Sequence, residues 1–543
     1  MPGASRERVF ESAVMLVPLS LLTKASLIGR DLVAAYFFGA TPALDAFLVA
    51  DSIPRFLGSA LLVGSFSMVF VPVLVEQLGG GDEREAWAMT SSLANITVLL
   101  LGSVSLASCL FAPTIVTAIA PGMTSEYQEM ASALIRMLAV TTLLIGLAEV
   151  LRSVLYAQRS FLVPMIAVFL ATLIAIAITV ASISSIGIYS LALGAVVGAV
   201  ARVAIQITSQ RGKGARYQLV LHWRHPAIRK MALLFAGMSV MMGLNQLNTM
   251  ATRYFASWLE PGSIAVYNYA SLAETVLVDT FALSLITPLF PEMSSLASRG
   301  EMAEFRRNFY LALRTIALVL FPVIGLSVVF RTPAIAIVLE RGAFTSQDTE
   351  RVAAVYPFLA VAILVWGSGR IITFAFYALQ QVRPLVIVTA WGVGLNIALD
   401  WLLVRPMGLA GLAVAASVGA IGGGVLAIWL LGGIVGWEDA SAGAAIIAKI
   451  VFLSGILVTV AWLLFTATEY IPFSKGSWLV WGRIAVASSV SVAMYLVLLP
   501  LCGVRDFQLV QTALSSRLAP LGVSIRRRNH QDGWTRKKLH KLS

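Results

Sequence analysis

Charge is what this sequence has least of. Asp, Glu, Lys and Arg together make up 12% of its 543 residues, about half the share of a soluble domain. Cysteine is nearly missing too. Cys109 and Cys502 both sit in apolar runs, which excludes a disulfide framework and a cysteine zinc site. The four histidines are His222, His225, His530 and His540, none in a metal-spaced pair on an apolar helix. No Walker A run is present, so the chain does not hydrolyse ATP by that route. Nothing supports hydrolytic or redox chemistry, and the expectation is a protein that is not an enzyme and needs no cofactor. A short apolar core followed by a small-residue cleavage site is also missing, so residues 10–37 read as a retained helix.

What the sequence has in excess is apolar length: 59% of residues are hydrophobic. A helix needs roughly 20 apolar residues to cross a bilayer, and such runs follow one another with little pause. The expected spans are 10–37, 43–75, 86–113, 129–157, 161–183, 187–208, 229–258, 263–290, 306–330, 351–379, 384–404, 408–434, 445–467 and 477–502. Residues 331–350 read as a short amphipathic excursion. The fold class is all-α: a polytopic membrane protein of about fourteen helices.

A repeat organises them. Tyr156-Ala157-Gln158 followed by Pro164 recurs as Tyr377-Ala378-Leu379-Gln380 followed by Pro384, and Gly187-Ile188-Tyr189-Ser190 recurs at Gly408-Leu409-Ala410-Gly411. The offsets are 220 and 221 residues, which argues for two parallel six-helix lobes around a central cavity. The division expected is a first lobe over 1–208, a basic linker over 209–228, a second lobe over 229–434, two added helices over 435–504 and a basic tail over 505–543.

The net charge of +12 is uneven, gathered in 211–230 and in the tail with Arg526-Arg527-Arg528 and Arg536-Lys537-Lys538. Beside membrane spans such clusters fix topology and contact anionic lipid rather than nucleic acid. Arg6, Arg8, Arg159, the linker, Arg299, Arg306, Arg307, Arg383 and the tail fall on one side of the membrane. Arg331, Arg341, Arg351, Arg405 and Lys475 fall on the other. The imbalance predicts that both termini lie in the cytoplasm.

Some charges interrupt the spans themselves: Lys24, Arg30 and Asp31, then Asp45, Asp51 and Arg55, then Arg253, Glu274, Asp279, Arg370 and Asp400. Each costs at least about 2.5–3.5 kcal/mol at the bilayer centre, so it faces a cavity or a partner. Interhelical ion pairs or snorkelling ends explain any one of them; eleven on two lobes favour a polar central cavity. Arginine suits an anionic substrate there, because its fork of donors matches phosphate. Asn396 and Asp400 stand i,i+4 on one helix face and could bind a small hard cation or a proton. Asp400 could equally sit at a helix end in water.

Gly29-Arg30-Asp31, Phe38-Gly39-Ala40, Asp45-Ala46-Phe47, Ile53-Pro54, Gly64-Ser65-Phe66-Ser67 and Phe70-Val71-Pro72 resemble the opening helices of the MurJ/MviN lipid II flippases. These belong to the multidrug/oligosaccharidyl-lipid/polysaccharide exporter superfamily. Phe161-Leu162-Val163-Pro164, Asn245-Gln246, Arg341-Gly342-Ala343-Phe344-Thr345 with Asp348, and 408–417 continue the likeness over about residues 10–435. The resemblance implies a fourteen-helix flippase moving a lipid-linked disaccharide-pentapeptide by alternating access. It places Arg30, Asp31 and Asp45 at functional cavity positions, with Lys24 replacing an arginine. It also makes Asn396 and Asp400 ligands of a sodium site.

The departures are equally specific. Ile53-Pro54-Arg55-Phe56-Leu57-Gly58-Ser59 lacks the family's arginine pair, Val63 replaces an acidic residue, and Tyr269-Ala270-Ser271-Leu272 lacks another arginine. Thr252 stands for an aspartate and Ala416 for a threonine of the sodium site. Arg55 restores one positive charge. The candidate substrate-binding set is therefore Lys24, Arg30, Asp31, Asp45, Arg55 and Arg253, with sodium or a proton at Asn396 and Asp400 as coupling ion. Three readings follow: a flippase for a polyprenyl-diphosphate-linked glycan, a cation-coupled exporter of small amphiphiles, or a transport-inactive envelope scaffold.

Overall fold

In the bilayer core a backbone N–H or C=O has no water to bond, so a long apolar chain must satisfy its own hydrogen bonds as helix. The computed structural model obeys this throughout. It describes residues 3–61, 70–76, 83–211, 217–223, 226–467 and 477–504, and among them there is no β-strand. Val63, the Gly64–Ser67 motif, Lys475 and the tail arginines lie outside the described residues.

The helices are α1 (Gly3–Phe38), α2 (Pro42–Leu61), α3 (Glu83–Leu110), α4 (Ala112–Ile119), α5 (Ser125–Ala157), α6 (Leu162–Ile186), α7 (Tyr189–Thr208), α8 (Pro226–Ala256) and α9 (Ser263–Arg299). They continue with α10 (Met302–Val329), α11 (Arg331–Leu339), α12 (Ser346–Ala378), α13 (Val382–Val435), α14 (Ala440–Ala467) and α15 (Ser477–Leu501). At 1.5 Å per residue, the 54 residues of α13 would run about 80 Å, far more than a bilayer. The helix is two crossings folded at Gly408, whose φ of 59° and ψ of −136° are non-helical. Counting its arms separately, and leaving out the short α4 and α11, the described residues form about fourteen long helical segments. Two boundaries differ from the sequence reading. The span expected over 86–113 gives way to α3 and the separate short α4, and α9 runs on to Arg299, where Gly300 ends it at φ 72°.

The repeat is visible in the backbone. Arg159 and Gln380, 221 residues apart, both take positive φ (58° and 56°), a rare conformation for side chains. Each follows the same helix-ending pattern: Ser160 N–H bonds Leu155 O, and Gln381 N–H bonds Phe376 O. Gly187 and Gly408, again 221 apart, share φ 56° and 59°. Past them, Gly198 closes on Ala171 between α6 and α7, and Gly419 closes on Gly392 between the arms of α13. Lipid supplies no hydrophobic force between helices, so small residues that allow close approach hold each pair.

Within the first lobe Glu149 of α5 is 1% exposed and is held by Arg152 and by Arg202 of α7, the latter at 2.8 Å. Such a buried carboxylate persists only because it is paired. Tyr217 and the backbone of Gln218, Val220 and His222 bond to Ser91, Ser92 and Asn95 of α3, which fastens the linker to this lobe. The helices α14 and α15 pack beside α10 rather than between the lobes.

Candidate functional site

Hydrogen bonds joining the two lobes gather at one end of the bundle, around 36–48, 257–269 and 340–345. Ala343 N–H donates to Tyr36 O at 2.7 Å, and Tyr269 Oη–H donates to Gly39 O at 3.2 Å. The backbones touch so closely that a Cβ on Gly39 would strike Ala343 O, and one on Gly262 would strike Ala40 O. Both glycines also have positive φ, 55° and 87°. A side chain at either would pry the lobes apart. The Arg341–Thr345 motif is the plug: Phe344 is buried edge-on against Tyr269, their ring centroids 5.3 Å apart. Thr345 and Asp348 form the capping box that starts α12, satisfying two otherwise orphaned helix-end donors.

Asp45 belongs to this closure and not to the cavity beneath it. It is 5% exposed, and its two carboxylate oxygens accept from Gly262 N–H and Ala265 N–H, both at 2.7 Å. A carboxylate at the start of α9 is held by the orphan N–H groups and the helix dipole. The sequence placed Asp45 in a substrate set; the structure uses both its oxygens to tie α2 to α9.

Below the closure, α1, α2, α6, α7 and α9 surround a cavity of about 210 Å³ lined by Arg30, Asp31, Asp51, Arg55, Asn268 and Ser271, among others. Arg30 donates from Nε (3.2 Å) and Nη2 (2.9 Å) to Asp31 Oδ1, and Arg55 Nε donates to Asp51 Oδ2 at 2.5 Å. The cavity therefore holds two arginines and two aspartates, each arginine in an ion pair. The sequence implied a net positive cavity; tertiary packing gives a balanced one, because it leaves Lys24 and Arg253 out of the lining while the i,i+4 pair Asp51 and Arg55 both face in. Lys24, half-buried a turn and a half earlier on α1, does not line this space.

Arg253 of α8 is buried, and its guanidinium donates to Leu48 O of α2, bridging the lobes. It lines a second cavity of about 150 Å³ with Asn248, Thr252 and Trp366. Asn268 and Ser271 face both cavities. Asn248, Thr249 and Trp366 lead on to a third of about 750 Å³ in the second lobe, lined also by Arg370, Asn396 and Ala416. A chain of polar side chains thus joins the paired charges of the first lobe to the second. Of the other charges read from sequence, the side chains of Glu274 and Asp279 lie outside the described set.

The second constellation is assembled as its spacing implied. Asn396 is 3% exposed and Asp400 0%. Asn396 Nδ2 donates to Asp400 Oδ1 at 3.2 Å, and Thr252 Oγ1 donates to Asp400 Oδ2 at 3.5 Å. Asp400 is at no helix end in water: it is fully enclosed. Its two oxygens, the Thr252 hydroxyl and the Asn248 carbonyl, which accepts from Thr252 at 3.1 Å, offer oxygen donors for a monovalent cation. Asn396 adds its oxygen only if its amide turns over. Among the described residues no three His, Cys, Asp or Glu side chains converge on a metal.

Sequence reasoning counted Asp51 among the charges that face a cavity but left it out of the substrate-binding set, and it missed Asn268 and Ser271. The signal for Asp51 was its spacing from Arg55; Ser271 stood in the Tyr269–Leu272 stretch noted for its missing arginine, and Asn268 carried no signal.

Comparison with known proteins agrees with this architecture. Residues 34–480 match the sequence profile of the family described as lipid II flippase MurJ. A probable lipid II flippase MurJ of Synechocystis is 24% identical over 474 residues, covering 85% of this chain and 88% of the other. A solved structure of lipid II flippase MurJ in an inward closed conformation superposes with a TM-score of 0.76 at 21% identity, over 90% of this chain and 99% of that one. An inward-facing multidrug transporter of the MATE family, in the MOP superfamily, follows at TM-score 0.60 and 15% identity, over 79% and 95%. With two lobes closed over a charged cavity, and a family profile spanning most of its length, this chain belongs to the MurJ lipid II flippase family.

Proposed function

We propose that this protein carries a polyprenyl-diphosphate-linked glycan, lipid II or a related precursor, across the bacterial inner membrane by alternating access. The observation that carries the reading is a membrane-embedded cavity between two lobes where Arg30 and Arg55 sit together, closed at one end by contacts a modest rearrangement could open. Arginine forks recognise phosphate bidentately. A cavity of about 210 Å³ takes a diphosphate and not a whole glycopeptide, so the lobes part further around the loaded head group while the polyprenyl chain stays in lipid.

The basic connectors put both termini and the linker in the cytoplasm. The closed end then faces outward, and the structure is an inward-oriented state. The enclosed Asp400 supports cation coupling. Thr252 and Ala416 remove two oxygens expected for sodium, which favours weak sodium binding or a proton at Asp400. Anionic lipids meet the linker and the tail.

The test is rescue of a strain depleted of its own flippase. Wild type is expected to restore growth and Arg30→Ala to fail at equal membrane abundance. Equal rescue by both would remove the cavity from the function, as a scaffold would require.

A further inference from the structure

The two ion pairs in the first-lobe cavity are not alike. Arg30 lies side-on to its neighbour Asp31, giving up Nε and Nη2. Arg55 gives up only Nε, to Asp51, four residues back on α2. Among the described residues its two terminal nitrogens, with four N–H donors, are left for whatever enters. Exposure follows the same division: the Asp51 side chain is 15% exposed and that of Arg55 49%. The carboxylate is a fixed base in the wall and the guanidinium a head in the cavity. Asp51 also interacts electrostatically with Arg30 of α1 and Arg253 of α8, so it stands among three guanidinium groups. The helices on the far side of α2, α4 and α5, contribute nothing to this lining.

An i,i+4 pair on a solvent-facing helix is worth a few tenths of a kcal/mol and orients little. Here the pair lines a cavity inside a membrane protein, where an unpaired charge is costly. A flexible arginine loses rotamer freedom when it binds; a carboxylate that already fixes Nε removes much of that loss. We propose that Asp51 is a positioning residue for the substrate: by holding Arg55 through Nε, it aims the two terminal nitrogens at one phosphate of a lipid-linked diphosphate. The pair then supplies in one turn of α2 what an arginine pair one turn further on would supply. This rests on the diphosphate reading above.

The experiment measures binding of farnesyl diphosphate to the detergent-solubilised full chain by calorimetry, with thermal unfolding as a folding control. Arg55→Ala and Asp51→Ala are each expected to weaken binding about tenfold, the loss of one charge-assisted contact. The Arg55→Lys variant keeps the charge and loses the fork, so adding Asp51→Ala to it should cost nothing more. Asp51→Glu, which can still reach Nε, should recover most of the affinity. If Asp51→Ala proves poorly folded, Asp51→Asn replaces it with nearly the same shape. Binding unchanged or tighter without the Asp51 carboxylate would overturn the proposal, since Asp51 would then be only a competing charge. So would an undiminished Asp51→Ala effect in the Arg55→Lys background. Absence of binding by wild type would overturn the diphosphate reading itself, and this inference with it.

Discussion

The two lobes repeat a backbone and put different chemistry on it. With the 221-residue offset of Gly187 and Gly408, Ala175 and Thr179 of α6 correspond to Asn396 and Asp400 of α13. In the first lobe those positions are small, and they line the cavity occupied by Arg30, Asp31, Asp51 and Arg55. In the second lobe the same helix face carries a carboxylate and an amide, closed off at 0% and 3% exposure. The first lobe sets those positions against paired, reachable charge; the second encloses a single acid there, and only Asn396 of the two also faces the larger cavity of about 750 Å³. Duplication supplies the frame, and a few substitutions on one helix face decide whether a lobe presents reachable paired charge or an enclosed carboxylate.

The strongest way to break this comparison is to remove the reachable charge. Arg30→Ala should abolish rescue while the protein still inserts, at a cost in phosphate binding of about 1.5–3 kcal/mol. Full complementation at normal abundance would mean that the first-lobe cavity is not the substrate site. Next comes the contact that closes the lobes over both sites. Asp45→Asn keeps the shape but loses the charge that holds Gly262 and Ala265 N–H, about 1–3 kcal/mol, enough to shift an open–closed equilibrium by roughly 5- to 150-fold. A cysteine in place of Ser271 should then react faster with an impermeant thiol reagent added outside cells. An unchanged rate would show that Asp45 does not guard the closure.

The second lobe is sharpened by titrating it. A cation at ten times its Kd adds about 1.4 kcal/mol to wild-type stability. Thermal shifts across sodium concentration and pH should show this for wild type and not for Asp400→Asn. Tight sodium stabilisation insensitive to pH would mean that Thr252 and Ala416 cost nothing; a flat response in wild type would leave Asp400 a packing residue. The smallest effect is an expected absence of signal. Ala215→Cys in the linker should resist labelling from outside intact cells, whereas efficient labelling there would reverse both lobes.

Legibility followed the range of the physics. The spans showed in sequence because a bilayer demands apolar length, and the repeat because glycine and proline punctuate both copies alike. Asn396 and Asp400 could be paired on paper because i,i+4 is a local relation on one helix. Thr252 as their partner, and Asp45 as a tie to α9, required knowing which helices meet. Arg30, Asp31 and Arg55 were found as charges that had to face something; that they face one another in two pairs was not deducible from their number.

The sequence alone determined a helical membrane protein of about fourteen spans in two related lobes, because hydrophobic length and turn chemistry act over a few residues at a time. Only the tertiary structure decided which end of the lobes is closed, that the cavity carries balanced rather than net positive charge, and that Asp400 is sealed. Those depend on close backbone approach at Gly39 and Gly262 and on donors and acceptors brought together from helices some 150 to 220 residues apart.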